Sequence, residues 1–281
     1  MRMPVSIRNA RFENKRRKFG AVLAILAIAI MNLMMGCEPA RDEQAARTIS
    51  ITNVIDLTHT LTPDFPYIPV PGITFPFAMK PIATLEANHV AANEWRIHEH
   101  LGTQIDAPNH FIAGGMSLEQ LPLKSLIVPA AVIDIRQRAG KNPDTELAVD
   151  DILAWEKKHG RLPENACVFM YSGWDEKIKD SQAYLNMDST NTLHFPGISL
   201  EAGEFLIKER DIAGVGVDVI SFDPGWDKQY RTHRAILGAG KWAVEAVANL
   251  GQIPPAGATV FVGATKVGGA TGGPVRLIAV W

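Results

Sequence analysis

Trp95-Arg96-Ile97-His98-Glu99-His100-Leu101-Gly102-Thr103-Gln104-Ile105-Asp106-Ala107-Pro108-Asn109-His110-Phe111 gathers three histidines and an aspartate within thirteen positions, from His98 to His110. The segment reads as a strand that bends. Alternate residues of a strand share a face, so His98 and His100 are expected to point the same way. Gly102 lets the backbone turn, and Pro108 fixes a second bend. His100, Gln104, Asp106 and His110 are thereby predicted to converge. Imidazole with carboxylate is the donor mix that zinc and manganese take.

On either side of this segment the chain alternates strand-like and helix-like runs. Strands rich in Val, Ile and Phe are predicted over 51–57, 93–100, 126–135, 166–172, 212–220, 258–263 and 275–281. Helices are predicted over 148–159, ending at Gly160, over 199–210, capped by Ser199, and over 235–250, ending at Gly251. No strict βαβ rhythm appears, so the reading is one α/β domain over 51–281. Cys167 lies in an apolar strand-like run and reads as a small core residue. The Gly268–Gly273 stretch opens no helix and is followed by Pro274, so the dinucleotide and phosphate-loop templates fail. No G-x-S-x-G stands anywhere, which excludes the nucleophile elbow of a serine hydrolase.

The chain is 281 residues with 47% hydrophobic and 21% charged residues, enough for a sizeable core and too apolar for disorder. Its net charge of −2 hides an asymmetry, for residues 1–36 carry seven basic residues and one acid. The remainder is therefore acidic at −8, which argues against nucleic acid as a partner. Phe19–Met35 is apolar apart from Asn32, and Gly36-Cys37 closes it. Residues 1–36 are thus expected to be a signal segment resembling that of a bacterial lipoprotein, with Cys37 lipidated. The alternative is an uncleaved anchor. Residues 38–50 read as a polar tether, and Arg16-Arg17-Lys18-Phe19 also resembles a twin-arginine export signal. An exported lipoprotein on the periplasmic side, touching the membrane only through its N-terminus, is the expectation.

His100-x-Gly102-Thr103-x-x-Asp106-x-Pro108-x-His110 resembles the H-x-G-T-H-x-D-x-P-x-H signature of the cyclase family, which includes bacterial kynurenine formamidases and isatin hydrolases. Asp56-Leu57-Thr58-His59, Tyr171-Ser172-Gly173-Trp174, Phe195-Pro196-Gly197-Ile198-Ser199 and Gly214-Val215-Gly216-Val217-Asp218 resemble further family segments. So do His233-Arg234-Ala235-Ile236-Leu237 with Glu245, and Gly273-Pro274-Val275-Arg276. The resemblance implies a swivelling α/β/β fold, a homo-oligomer (usually a dimer), and one or two divalent ions, zinc or manganese. It implies His100, Asp106, His233 and Glu245 as metal ligands and His110 as the proton carrier.

Position 104 departs from the signature. Gln104 stands where the family has a histidine and offers only an amide oxygen, a weaker ligand. Either one ion is lost, or a single ion is held by some combination of His100, Asp106, His233 and Glu245, with His98 as a candidate substitute. The expected activity is arylformamidase-like: a metal-activated water attacks the carbonyl of a small amide, formamide, cyclic amide or lactone, with His110 as proton shuttle. The competing reading is a non-catalytic periplasmic module that binds a small molecule on the same fold.

Overall fold

A computed structural model describes residues 51–281. The expected signal 1–36, Cys37 and the tether 38–50 lie outside the described residues. Eight strands form the main sheet: β1 (Val54–Asp56), β4 (Gln104–Asp106), β5 (Ile127–Asp134), β7 (Ala166–Tyr171), β9 (Ile212–Val217), β10 (Trp242–Glu245), β11 (Ala256–Ala264) and β12 (Gly272–Val280). Of the remaining strands, β2 (Ala78–Ala83) and β3 (Ala92–Arg96) make a separate hairpin, and β6 (Glu146–Leu147) pairs with β8 (Gly197–Ile198). The sheet runs β1-β12-β11-β5-β7-β9-β10-β4, and β4 pairs again with β12. That second pairing closes the strands from β12 round to β4 into a barrel. The fold is a single mixed α/β domain with a barrel core and helices around it.

The parallel part of the barrel, β5-β7-β9-β10, needs crossover connections, and helices supply them. Val149–His159 follows β5, Leu200–Glu209 follows β7, and Arg231–Gly238 follows β9. Side chains then divide by strand alternation. On β7, Cys167, Phe169 and Tyr171 fill the barrel interior, whereas Val168 and Met170 face the helices. Both faces are covered, which is why every residue of β7 is buried and the run is apolar throughout. Gly214 and Gly216 on β9 make room for large neighbours. A Cβ on Gly214 would lie 2.3 Å from the Trp242 carbonyl oxygen, and one on Gly216 would lie 2.4 Å from the Phe169 ring.

Two expectations are corrected. The helix predicted over 235–250 is instead a helix Arg231–Gly238, a turn through Gly240 at φ 73°, and strand β10. Trp242-Ala243-Val244 pairs on one side with β9 and continues the barrel, so tertiary pairing overrides the helical pattern. The strand predicted over 93–100 ends at Arg96, so His98 and His100 do not share a strand face. His98 packs edge-on against Tyr67 and Phe75 instead and is not among the donors that cluster.

Candidate metal centre

The site is built on the outer face of the barrel where β4 closes it. Ile105 and Val244 belong to the barrel interior. Their neighbours Gln104, Asp106 and Glu245 therefore fall on the opposite face. Antiparallel register sets Gln104 opposite Glu245, and Asp106 opposite Ala243 of β10 and Gly272 of β12. All three polar side chains are buried. The wholly buried Ile105 anchors this short strand, a burial that contributes about 2 kcal/mol.

Three further segments close over this face. The helix Arg231–Gly238 brings His233, the 3-10 turn Pro108–His110 brings His110, and the bend before β4 brings His100. Asp223 fixes the start of that helix. Its carboxylate accepts the backbone N–H of Thr232 at 2.7 Å and of His233 at 3.1 Å, satisfying two donors that the helix leaves open. The same carboxylate accepts from His233 Nδ1. An ionised carboxylate is an acceptor only, so Nδ1 keeps its proton, and Nε2 is the nitrogen that would release a proton and offer a lone pair to a cation. Phe222 stacks on the ring at 3.7 Å between centroids.

His233 Nε2 faces Asp106 Oδ2 at 3.3 Å and Glu245 Oε1 at 3.5 Å. Gln104 Nε2 donates to Glu245 Oε2 at 2.7 Å, and Phe222 N–H donates to Glu245 Oε1 at 3.1 Å. His100 Nδ1 bonds Asp106 Oδ1 at 2.7 Å, and its Nε2 bonds Thr271 Oγ1 at 2.9 Å. Thr271 is held in turn by Glu99. His110 stacks on His100 at 3.8 Å. Gly272 is the floor beneath His100, since a Cβ there would lie 2.6 Å from the His100 Cε1.

Burial governs the protonation of these groups. It drives the His110 imidazole down to about 4, against a partial pull from Asp106, so His110 is neutral near pH 7. Burial and then the Asp106 charge raise Glu245 to about 7. Burial also opposes charge on Asp106, but His100 and His233 outweigh it and hold that carboxyl well below the usual range. His233 is raised despite its burial, because Asp106, Asp223 and Glu245 all favour its cation.

Ligand atoms of His100, Asp106 and His110 lie within 4.8 Å of one another, as do those of Asp106, His233 and Glu245. The donors fit a divalent cation. Asp106 Oδ2 and Gln104 Oε1 are buried with no hydrogen-bond partner, a costly state unless a cation joins them. Asp106 Oδ2, His233 Nε2 and Glu245 Oε1 all turn to one point.

The sequence missed Asp223, Phe222, Thr271, Glu99 and Gly272. Thr271 and Gly272 had a signal, their place in a glycine-rich stretch set aside for failing the phosphate templates, and Glu99 stood inside the histidine-rich segment. Residues away from the centre fall into place separately. Cys167 is buried in β7, and burial raises its thiol well above the usual value. His194 pairs with Asp144 at 2.9 Å. Among the tryptophans, Trp95 is exposed and Trp174 is buried, donating to the Tyr184 carbonyl. A cavity of about 350 Å³ does adjoin the site, lined by Ile68, Leu193, Phe195, Asp223 and Tyr230 among others.

The barrel with this centre on its outer face is that of the metal-dependent cyclases. The sequence model of the family described as putative cyclase matches residues 55–224, and the chain belongs to this family. It is 30% identical over 246 residues to the isatin hydrolase of Roseibium aggregatum, covering 81% of this chain and 91% of the relative. The solved structure of isatin hydrolase A from Labrenzia aggregata bound to benzyl benzoate superposes with a TM-score of 0.75 at 36% identity, over 81% of this chain and 93% of that one. The kynurenine formamidase of Salinibacter ruber is 26% identical over 185 residues, 65% of this chain and 76% of that protein. The chemistry is therefore that of a cyclase-family metal-dependent hydrolase.

Proposed function

We propose that this protein hydrolyses the C–N bond of a small amide, with an aryl-fused cyclic amide favoured over an open formamide. The observation that carries the reading is the convergence of Asp106, His233 and Glu245 on one point with His110 alongside. Asp106, His233 and Glu245 would hold a zinc or manganese ion. Such an ion supplies Lewis acidity and makes water a nucleophile near neutral pH.

The chain's own groups account for the remainder. Asp223 and Phe222 fix the His233 ring, and Gln104 fixes Glu245. His110, neutral and stacked on His100, accepts a proton from the attacking water and returns it to the leaving nitrogen. Tyr230, 5.8 Å from the His233 ring, lines the adjoining cavity, and Phe111 packs 4.7 Å from the same ring. Similarity to isatin hydrolases, higher than to kynurenine formamidases, supports the cyclic substrate. A panel of isatin, N-aryl formamides and lactones tests the reading, with and without chelator. Chelator-sensitive opening of isatin is expected, and no turnover of any member at full metal loading would sink the proposal.

Two attributes complete the reading. A second copy is expected to cover the β2–β3 hairpin, which exposes Met79 at 55%, Ile82 at 62% and Trp95 at 68%. Light scattering on the purified body would show a dimer, and a monomer at micromolar concentration would refute it. Export with lipidation at Cys37 rests on the N-terminal sequence. Among the described residues no helix is long and apolar enough to cross a membrane.

A further inference from the structure

The segment 223–230 forms one wall of the cavity beside the metal centre, a space of about 350 Å³. Its apolar lining, Ile68, Leu193, Phe195 and the Tyr230 ring, suits a flat aromatic body. Three charged side chains share the lining: Asp223, Asp227 and Lys228.

Two of these charges are committed. Asp223 is held by His233 and by the start of the helix Arg231–Gly238. Asp227 is buried, accepting from Arg231 Nε at 2.7 Å and from the Gln229 N–H at 2.8 Å. Lys228 is exposed, and among the described residues no carboxylate pairs with it. Its ammonium is the charge that the cavity wall presents unpaired.

The rim beyond it is aromatic and cationic. Arg234 follows His233 on the helix, and its guanidinium lies 5.4 Å over the Phe111 ring. Phe111 packs 5.3 Å from Tyr230 and 4.7 Å from His233. Arg234 Nε donates to the Gln229 carbonyl, and among the described residues no carboxylate pairs with it either. Arg231 is different: Asp227 neutralises it, and Glu146 and Glu201 lie in its field. Lys228 and Arg234 therefore leave a positive excess at the mouth of a body that carries −8. A cleft of one sign focuses the field and concentrates ligands of the other sign. A neutral aromatic amide draws only on the apolar lining. One that carries an anionic group draws on the lining and on Lys228 together.

We propose that Lys228 selects the substrate, and that the preferred substrate is an aromatic amide bearing a carboxylate or sulfonate on its ring. The proposal rests on the amide-hydrolase reading above. A rim charge acts chiefly on association and is screened by salt. The expected preference is therefore modest at low salt, roughly three- to tenfold in kcat/KM.

The test is kcat/KM of the full-length chain, loaded with zinc or manganese, for isatin and for isatin-5-sulfonate, which differ by one anionic ring substituent. At low salt wild type is expected to favour the sulfonate by that factor. At about 1 M salt, where the screening length falls to about 3 Å, the ratio is expected to approach one. Lys228→Glu is expected to invert the preference, and Lys228→Gln to weaken it. The position is exposed, where substitution seldom disturbs folding. A wild-type ratio of one or less at low salt, a ratio that salt leaves unchanged, or a preference that survives both substitutions unchanged would overturn the proposal. No turnover of either compound would instead overturn the hydrolase reading. Calorimetry with the same pair then reads the preference as a ratio of dissociation constants, and equal or undetectable binding overturns the proposal as well.

Discussion

Asp223 accepts the Nδ1 proton of His233 and thereby decides which nitrogen of that imidazole faces Asp106 and Glu245. The same carboxylate holds the first turn of the helix that carries His233, so ring orientation and helix placement depend on one side chain. Asp223→Asn keeps the shape but can present an N–H to the ring and invite the other tautomer. Metal affinity is expected to fall 10–100-fold, as it does when such an outer carboxylate is removed. Chelator competition measures it, and an unchanged dissociation constant would contradict the assigned tautomer.

His110→Ala separates proton transfer from metal binding. A positioned acid–base group typically contributes about 10²–10⁴-fold to rate. The variant should lose that much in kcat on the best substrate of the panel while binding the ion with near wild-type affinity. Retention of kcat would remove His110 from the mechanism.

Gly272→Ala probes the floor under His100. The new Cβ would sit 2.6 Å from the His100 ring and 2.5 Å from the Ile105 carbonyl oxygen, which is backbone and cannot swing aside. Overpacking of this kind costs about 1–3 kcal/mol. Denaturant unfolding should show that loss, with weaker ion binding as His100 and Asp106 shift. A variant as stable as wild type would mean that the seam between β4 and β12 yields more readily than its spacing indicates.

Removing the metal should give stability a particular pH slope. Glu245 in the folded chain is raised to about 7, and His233 is raised as well, so the folded state keeps protons that the unfolded chain releases. Stability therefore falls as pH rises, for Glu245 from its unfolded value near 4.5 up to about 7, and for His233 from 6.5 upward. Asp106 acts in the opposite sense only below its unfolded value of 3.8, whereas His110, lowered from 6.5 to about 4, opposes the Glu245 slope between those two values. Melting temperature of the chelated protein is expected to decline from pH 6.5 to pH 8, above the range in which His110 offsets Glu245, and saturating zinc or manganese should flatten that decline. A chelated protein that grows more stable over this range would show that the buried carboxylates do not hold the proton.

The sequence made the donors legible because they are close together and chemically unusual. His100, Asp106 and His110 stand within eleven positions, interleaved with a glycine and a proline, and residues so dense in ligand atoms are uncommon outside a site that uses them. The helices Val149–His159 and Leu200–Glu209 were legible through Gly160 and the Ser199 cap, which are local signals. Strand β10 was not. Trp242-Ala243-Val244-Glu245 continues a helical pattern by its spacing, and only pairing with β9 and β4 makes it a strand. Asp223 was invisible for a related reason: its partner is ten residues away with no fixed spacing, and an aspartate before a proline is ordinary in a loop.

The residue types thus determined that this chain carries imidazoles and carboxylates suited to a divalent ion, an apolar core and a glutamine where its family has histidine. The tertiary structure alone decided where each of these points. Closure of the barrel by β4 against both β10 and β12 sets Gln104 opposite Glu245 and Asp106 over Gly272. Residues 141 positions apart become hydrogen-bonded neighbours by that register. A one-residue slip would turn Gln104 and Asp106 into the barrel interior. The burial of Ile105 forbids it, because the slip would leave a polar pair in the apolar core and an isoleucine in the metal centre.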